Sequence, residues 1–171
     1  MRIFLVLACL LLGVLTGCGF QGAPDQAADR GSSSTSESGV ADPLGFSSVT
    51  TSGEDFDGSS LSGRPAVLWF WAPWCPTCRG QIPGVTALAD EYGDQVGIVG
   101  VGSLDDQGPI DDFAAEAKGV THLADEDGEV WRHFGVTEQS VYVVLDKDGT
   151  IVSEGYLDDA ELADLVAGLV D

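Results

Sequence analysis

Apolar residues along the chain gather in runs separated by stretches rich in Gly, Asp and Ser, and the periodicity of each run predicts an element. The first run, from Ile3 to Leu15, follows the basic Arg2 and is too short to cross a bilayer as an uncleaved helix. It reads as a secretory signal over residues 1–17. Residues 18–44 carry no apolar periodicity and centre on GSSSTSESG, the composition of a disordered linker. The folded domain is therefore expected over residues 45–171. Within it, FSSVTTSGEDFDG predicts a short hairpin turning at Ser52 and Gly53. The unbroken run in RPAVLWFWA predicts a strand buried on both faces.

In PTCRGQIPGVTALADEYG the residues Ile82, Val85, Leu88 and Ala89 fall at helical spacing, with Pro83 expected to bend the helix and Gly93 to end it. QVGIVGVGS predicts a second buried strand, and PIDDFAAEAKG a helix opened by Pro109 and closed by Gly119. DGEVWRHFG suggests a further turn of helix, and VYVVLDKDGTIVSEGY a hairpin with Asp148 and Gly149 at its turn. The last run, DDAELADLVAGLV, is amphipathic, capped by Asp158 or Asp159, with Leu162, Leu165, Val166 and Leu169 facing inward. Strands alternating with helices and closing on a hairpin and helix give an α/β fold: a small central mixed sheet with helices on both faces. A chain of 171 residues, 44% hydrophobic, suits one compact domain.

Charge narrows the possible partners. The chain's net charge is -21 and every acidic residue lies after residue 17, and such a surface repels nucleic acid and anionic lipid headgroups. The end of the signal, LTGC from Leu15 to Cys18, resembles the lipobox of bacterial lipoproteins. That resemblance implies lipidation of Cys18 and an extracytoplasmic protein held to the cell membrane by lipid rather than by a transmembrane helix. Cys9 leaves with the signal and Cys18 carries the lipid, so Cys75 and Cys78 are the remaining thiols.

Cys75 and Cys78 stand with two residues between them where the buried strand gives way to a helix. A cysteine at a helix N-terminus has its thiolate favoured by unpaired backbone N–H groups and the helix dipole. Pro76 suits the first helical position, where its missing N–H costs nothing. Cys75 is then expected to attack and Cys78, one turn on, to resolve the mixed disulfide. Two other readings compete. A structural staple would add little, because so short a loop removes little unfolded-state entropy. A non-catalytic zinc or copper module needs further ligands, and only His122 and His133 are to hand; the first is expected at a strand end and the second on the surface.

The motifs AVLWFWAPWCPTCRGQIP, DEDGEVWRHFGV and VVLDKDGTIV, in that order, resemble the thioredoxin superfamily, and within it the membrane-tethered TlpA/ResA/DsbE-like thiol–disulfide oxidoreductases. The resemblance spans Phe46 to Asp171 and implies a thioredoxin fold in which Cys75 and Cys78 are the redox pair and Trp74 and Pro76 shape the site. It implies no cofactor beyond the reversible disulfide. The partners would be protein thiols or disulfides and a membrane redox partner, met by a monomer, either in oxidative folding or in reduction, as in cytochrome c maturation. Trp74, Gln139 and Ser140 would line the substrate-docking edge. Two residues depart from the family: Ser140 stands where it has a cis-proline, and Gln81 where reductive members have an acid. A cis bond before a non-proline costs roughly 3–4 kcal/mol, so Ser140 is expected trans. An amide at Gln81 can orient and hydrogen-bond but cannot carry a proton as a carboxylate does.

Overall fold

The computed structural model describes residues 42–170; the expected signal with Cys9, the lipidation candidate Cys18 and nearly all of the expected linker lie outside them. Strand β3 (Ala66–Trp71) is the centre of the fold, and every one of its residues is buried. Its AVLWFW sequence has no polar face to offer water, so it must be covered on both sides and flanked at both edges. β4 (Gly97–Gly102) lies parallel to it on one side, with β5 (Thr121–Ala124) parallel beyond; β6 (Val141–Leu145) lies antiparallel on the other, followed by β7 (Ile151–Gly155). The order β5-β4-β3-β6-β7 is the mixed sheet expected from the alternation of elements. A hairpin of β1 (Ser47–Val49) and β2 (Asp55–Asp57) stands apart as a second small sheet, tied to β5 where Thr51 N–H donates to the His122 carbonyl at 2.9 Å.

Alternation along β3 divides the core in two. Val67, Trp69 and Trp71 face helices α1 (Pro76–Tyr92), α2 (Gln107–Ala114) and α4 (Asp159–Val170). Leu68 and Phe70 face the other way, onto the short α3 (Glu129–His133), Phe46 and Phe134. Two glycines of β4 explain how two indoles fit on the first face. A β-carbon at Gly100 would collide with His122 Nδ1 and the Trp71 indole nitrogen, and one at Gly102 would strike the Trp71 ring. Trp71 instead lies flat on Phe113, ring centroids 4.3 Å apart. Among the described residues no helix is long and apolar enough to cross a membrane.

The α1, β6–β7 and α4 elements fall where the pattern puts them. In α4 Asp158 is the cap, its Oδ1 accepting from Ala160 and Glu161 N–H, while Glu161 reaches back to Asp158 N–H. Three expectations are corrected. Helix α2 begins at Gln107 after Asp106 rather than at Pro109, and ends at Ala114 rather than near Gly119. Glu116 and Ala117 N–H bond three residues back instead of four, tightening the chain into turns, and Gly119 at φ 78 turns the loop that follows. His122 is no strand-end residue but sits buried inside β5, opposite Gly100. His133 is half-buried against Phe46 and Phe134 rather than on the surface.

Candidate active site

After Trp71 the chain turns through Ala72, Pro73 and Trp74, closed by Cys75 N–H donating to the Ala72 carbonyl at 3.1 Å. Cys75 is the N-cap of α1: its backbone is extended, and its Sγ accepts from Cys78 N–H at 3.1 Å. Pro76 occupies the first helical position, so the helix starts without stranding a donor. Cys75 and Cys78 are joined as a disulfide, Cα atoms 5.3 Å apart. Cys78 is fully buried, whereas Cys75 keeps 2% of its surface, so a partner can reach the pair only at Cys75.

Trp74 is 54% exposed beside this opening, its indole N–H donating to the Leu104 carbonyl at 3.2 Å. Leu104, itself half exposed, adopts φ 63, a conformation costly for a large side chain, and the two apolar groups form a rim next to the disulfide. Arg79 donates to the Pro73 carbonyl at 3.2 Å, stacks over Phe113 at 5.0 Å and pairs with Glu116. It braces the turn that carries Cys75. The sequence pattern points to neither Leu104 nor Arg79, because their parts depend on where two loops meet.

Ser140 closes the site from the loop before β6. No peptide bond among the described residues is cis, and Ser140 adopts φ 70. Unlike proline it has an N–H, which donates to the Phe70 carbonyl at 2.8 Å and ties the loop to β3. Its Oγ lies 3.0 Å from Cys75 Sγ and 3.1 Å from Cys78 Sγ. A disulfide sulfur has no proton to give, so the hydroxyl is the donor. Gln81, 4% exposed, holds the other side of Ser140: its Nε2 donates to the Ser140 carbonyl at 3.1 Å while its Oε1 accepts from Trp69 Nε1 at 2.8 Å. Both ends of the amide are engaged. Trp69, expected only to fill the core, is thus the anchor of a buried chain running Trp69, Gln81, Ser140, disulfide. Gln139 is half-buried beside Ser140.

The histidines take no part in this chain. His122 packs on Trp71 with ring centroids 5.5 Å apart, and burial pushes its pKa down, partly offset by its hydrogen bond to the Ala117 carbonyl. His133 lies in the other half of the core, so the two cannot complete a metal site with the sulfurs. Among the described residues no three His, Cys, Asp or Glu side chains gather as ligands.

A family model described as Redoxin matches residues 26–169. The soluble secreted antigen MPT53 of Mycobacterium tuberculosis is 40% identical over 108 residues, which are 63% of this chain and 62% of that protein. The chain thus spans about three fifths of the length of that relative. Among solved structures, MTB DsbF in its mixed oxidised and reduced forms superposes with a TM-score of 0.70 at 44% identity, covering 74% of this chain and 96% of that one. A secreted Mycobacterium tuberculosis disulfide oxidoreductase homologous to E. coli DsbE gives 0.68 at 36% identity, covering 74% and 98%.

Proposed function

The chain belongs to the Redoxin family, with a thioredoxin-like fold, and on that premise we propose that it is a thiol–disulfide oxidoreductase acting on protein partners outside the cytoplasm. Cys75 is the exchanging sulfur and Cys78 the resolving one. The observation that carries this reading is the disulfide seated at the N-terminus of α1, with Cys75 alone reaching the surface. A structural staple would need neither the helix cap nor the opening. The signal, the lipobox-like LTGC and the Gly/Ser-rich linker support a domain tethered through Cys18, and the relatives described as secreted support the same compartment.

In this reading each residue has a task. The α1 N-terminus, through Cys78 N–H, favours negative charge on Cys75 Sγ as it leaves a mixed disulfide. Trp74 and Leu104 offer an apolar rim to an extended partner segment. Arg79 braces the turn, and Gln81 fixes the loop of Ser140 without adding charge.

The same features favour the oxidising direction. A carboxylate beside the thiols would disfavour the thiolate, and here that place is held by a neutral amide. Stabilising the reduced pair makes a disulfide a stronger oxidant, and the two limits are about -270 mV for thioredoxin and about -120 mV for DsbA. Equilibration of the full chain with glutathione buffers is expected to give a potential well above the thioredoxin value; one at or below it would reverse the direction. A Cys78→Ser variant is expected to accumulate partners as mixed disulfides at Cys75. Recovery of none, with Cys75 still alkylatable, would argue against exchange with proteins.

A further inference from the structure

The proposed exchange produces two leaving thiolates, and the structure puts one hydroxyl within reach of both. We propose that the Ser140 hydroxyl is a catalytic hydrogen-bond donor that receives each sulfur of the pair as it leaves, and that Gln81 and Trp69 are the positioning residues that hold it there. The assignment rests on the oxidoreductase reading and adds a residue to it.

In the oxidising direction a partner thiolate attacks Cys75 Sγ, the Cys75–Cys78 bond breaks, and its electron pair departs on Cys78 Sγ, 3.1 Å from Ser140 Oγ. The partner's second thiolate then attacks the partner sulfur of the mixed disulfide. The partner's own disulfide closes and the electron pair departs on Cys75 Sγ, 3.0 Å from the same oxygen. Two electrons pass from the partner dithiol to the pair. Of the two protons released, one settles on Cys78 and the other goes to water, leaving Cys75 as thiolate. A hydrogen bond to a charged sulfur is worth more than one to a neutral disulfide sulfur, so the hydroxyl favours departure at each step.

The position is built rather than incidental. Ser140 is 7% exposed, and its φ of 70 is unfavourable for a residue other than glycine. Three hydrogen-bonded groups hold it there: Phe70 O takes its N–H, Gln81 Nε2 binds its carbonyl, and Trp69 fixes Gln81. Among the described residues, the hydrogen-bond partners of Oγ are the two sulfurs.

Ser140→Gly separates the hydroxyl from the fold, because glycine adopts this backbone freely; Ser140→Ala removes the same hydroxyl with the strain retained. The reduced full-length proteins are alkylated with iodoacetamide across pH, and their equilibria with glutathione are measured. In both variants the Cys75 midpoint is expected to rise by about one pH unit. The dithiol–disulfide equilibrium should shift about tenfold toward the disulfide, a fall of about 30 mV. A Ser140→Gly protein that titrates and equilibrates like wild type overturns the assignment. Absence of any exchange by wild type would instead overturn the function on which it rests.

Discussion

Gln81 stands where the family resemblance implies an acid in reductive members, and its hydrogen bonds set out what that exchange would do. Its Nε2 points at the Ser140 carbonyl, so a carboxylate there would face another oxygen and place a negative charge one helical turn from Cys78. Gln81→Glu is expected to raise the pH midpoint of thiol alkylation by roughly one unit and to lower stability at neutral pH; an unchanged profile would show the position inert. His122 makes a second residue-scale prediction. Its pKa is held below the ordinary value by burial, so below about pH 6.5 the unfolded chain takes up a proton that the folded chain refuses. Stability present at neutral pH and above should therefore fall as pH drops through and below that value, by at most about 1.4 kcal/mol per pH unit. The urea midpoint of wild type should decline more steeply from pH 7.5 to 5.5 than that of His122→Gln; parallel curves would contradict this. The sequence shows which residues at the site are unusual, since Ser140 and Gln81 stand out against the family pattern. It does not show that they touch, because 59 positions separate the two partners of their hydrogen bond.

At the scale of elements, legibility follows the strength of the apolar signal. The runs of β3, β4 and β6 are continuous, and α1 and α4 have clear periodicity with caps, so each falls where expected. β5 has one fully buried apolar side chain, Leu123, in a four-residue strand, and is made by pairing with β4 rather than by its own pattern. The end of α2 was obscured because AAEAK has good helix propensity, while the burial of Ala114 and Ala117 pulls the chain into turns there. Glycine tests this account of packing, since the same substitution should act with opposite signs at two places. Gly100→Ala drives a methyl into His122 and Trp71 and is expected to cost about 1–3 kcal/mol. Gly168→Ala, on the exposed face of α4 with nothing near it, should add roughly 0.5–1 kcal/mol. Thermal denaturation of the two variants checks both, and equal effects would refute the role given to the β4 glycines.

For the whole molecule, the sheet order joins two features that lie far apart in the sequence: β3 lies between β4 and β6, so the loop before β6 meets the turn after β3. That crossing brings Ser140 to Cys75, 65 positions away, and no local pattern announces it. The chain's net charge of -21 would repel nucleic acid and anionic surfaces, leaving a tether at Cys18 as the proposed means of holding the domain at a membrane. Cys18→Ala is expected to move the protein from the membrane fraction to the soluble one, and retention on membranes would argue for another anchor. The central claim is that Cys75 and Cys78 form a working redox pair. Its most direct measurement is the rate at which the oxidised full-length protein transfers its disulfide to a reduced two-cysteine peptide, with Cys75→Ser as control. The account predicts stoichiometric oxidation of the peptide by wild type, coupled to appearance of the Cys75 and Cys78 thiols, and none by the variant. A wild-type disulfide that persists unchanged beside excess reduced peptide would contradict it.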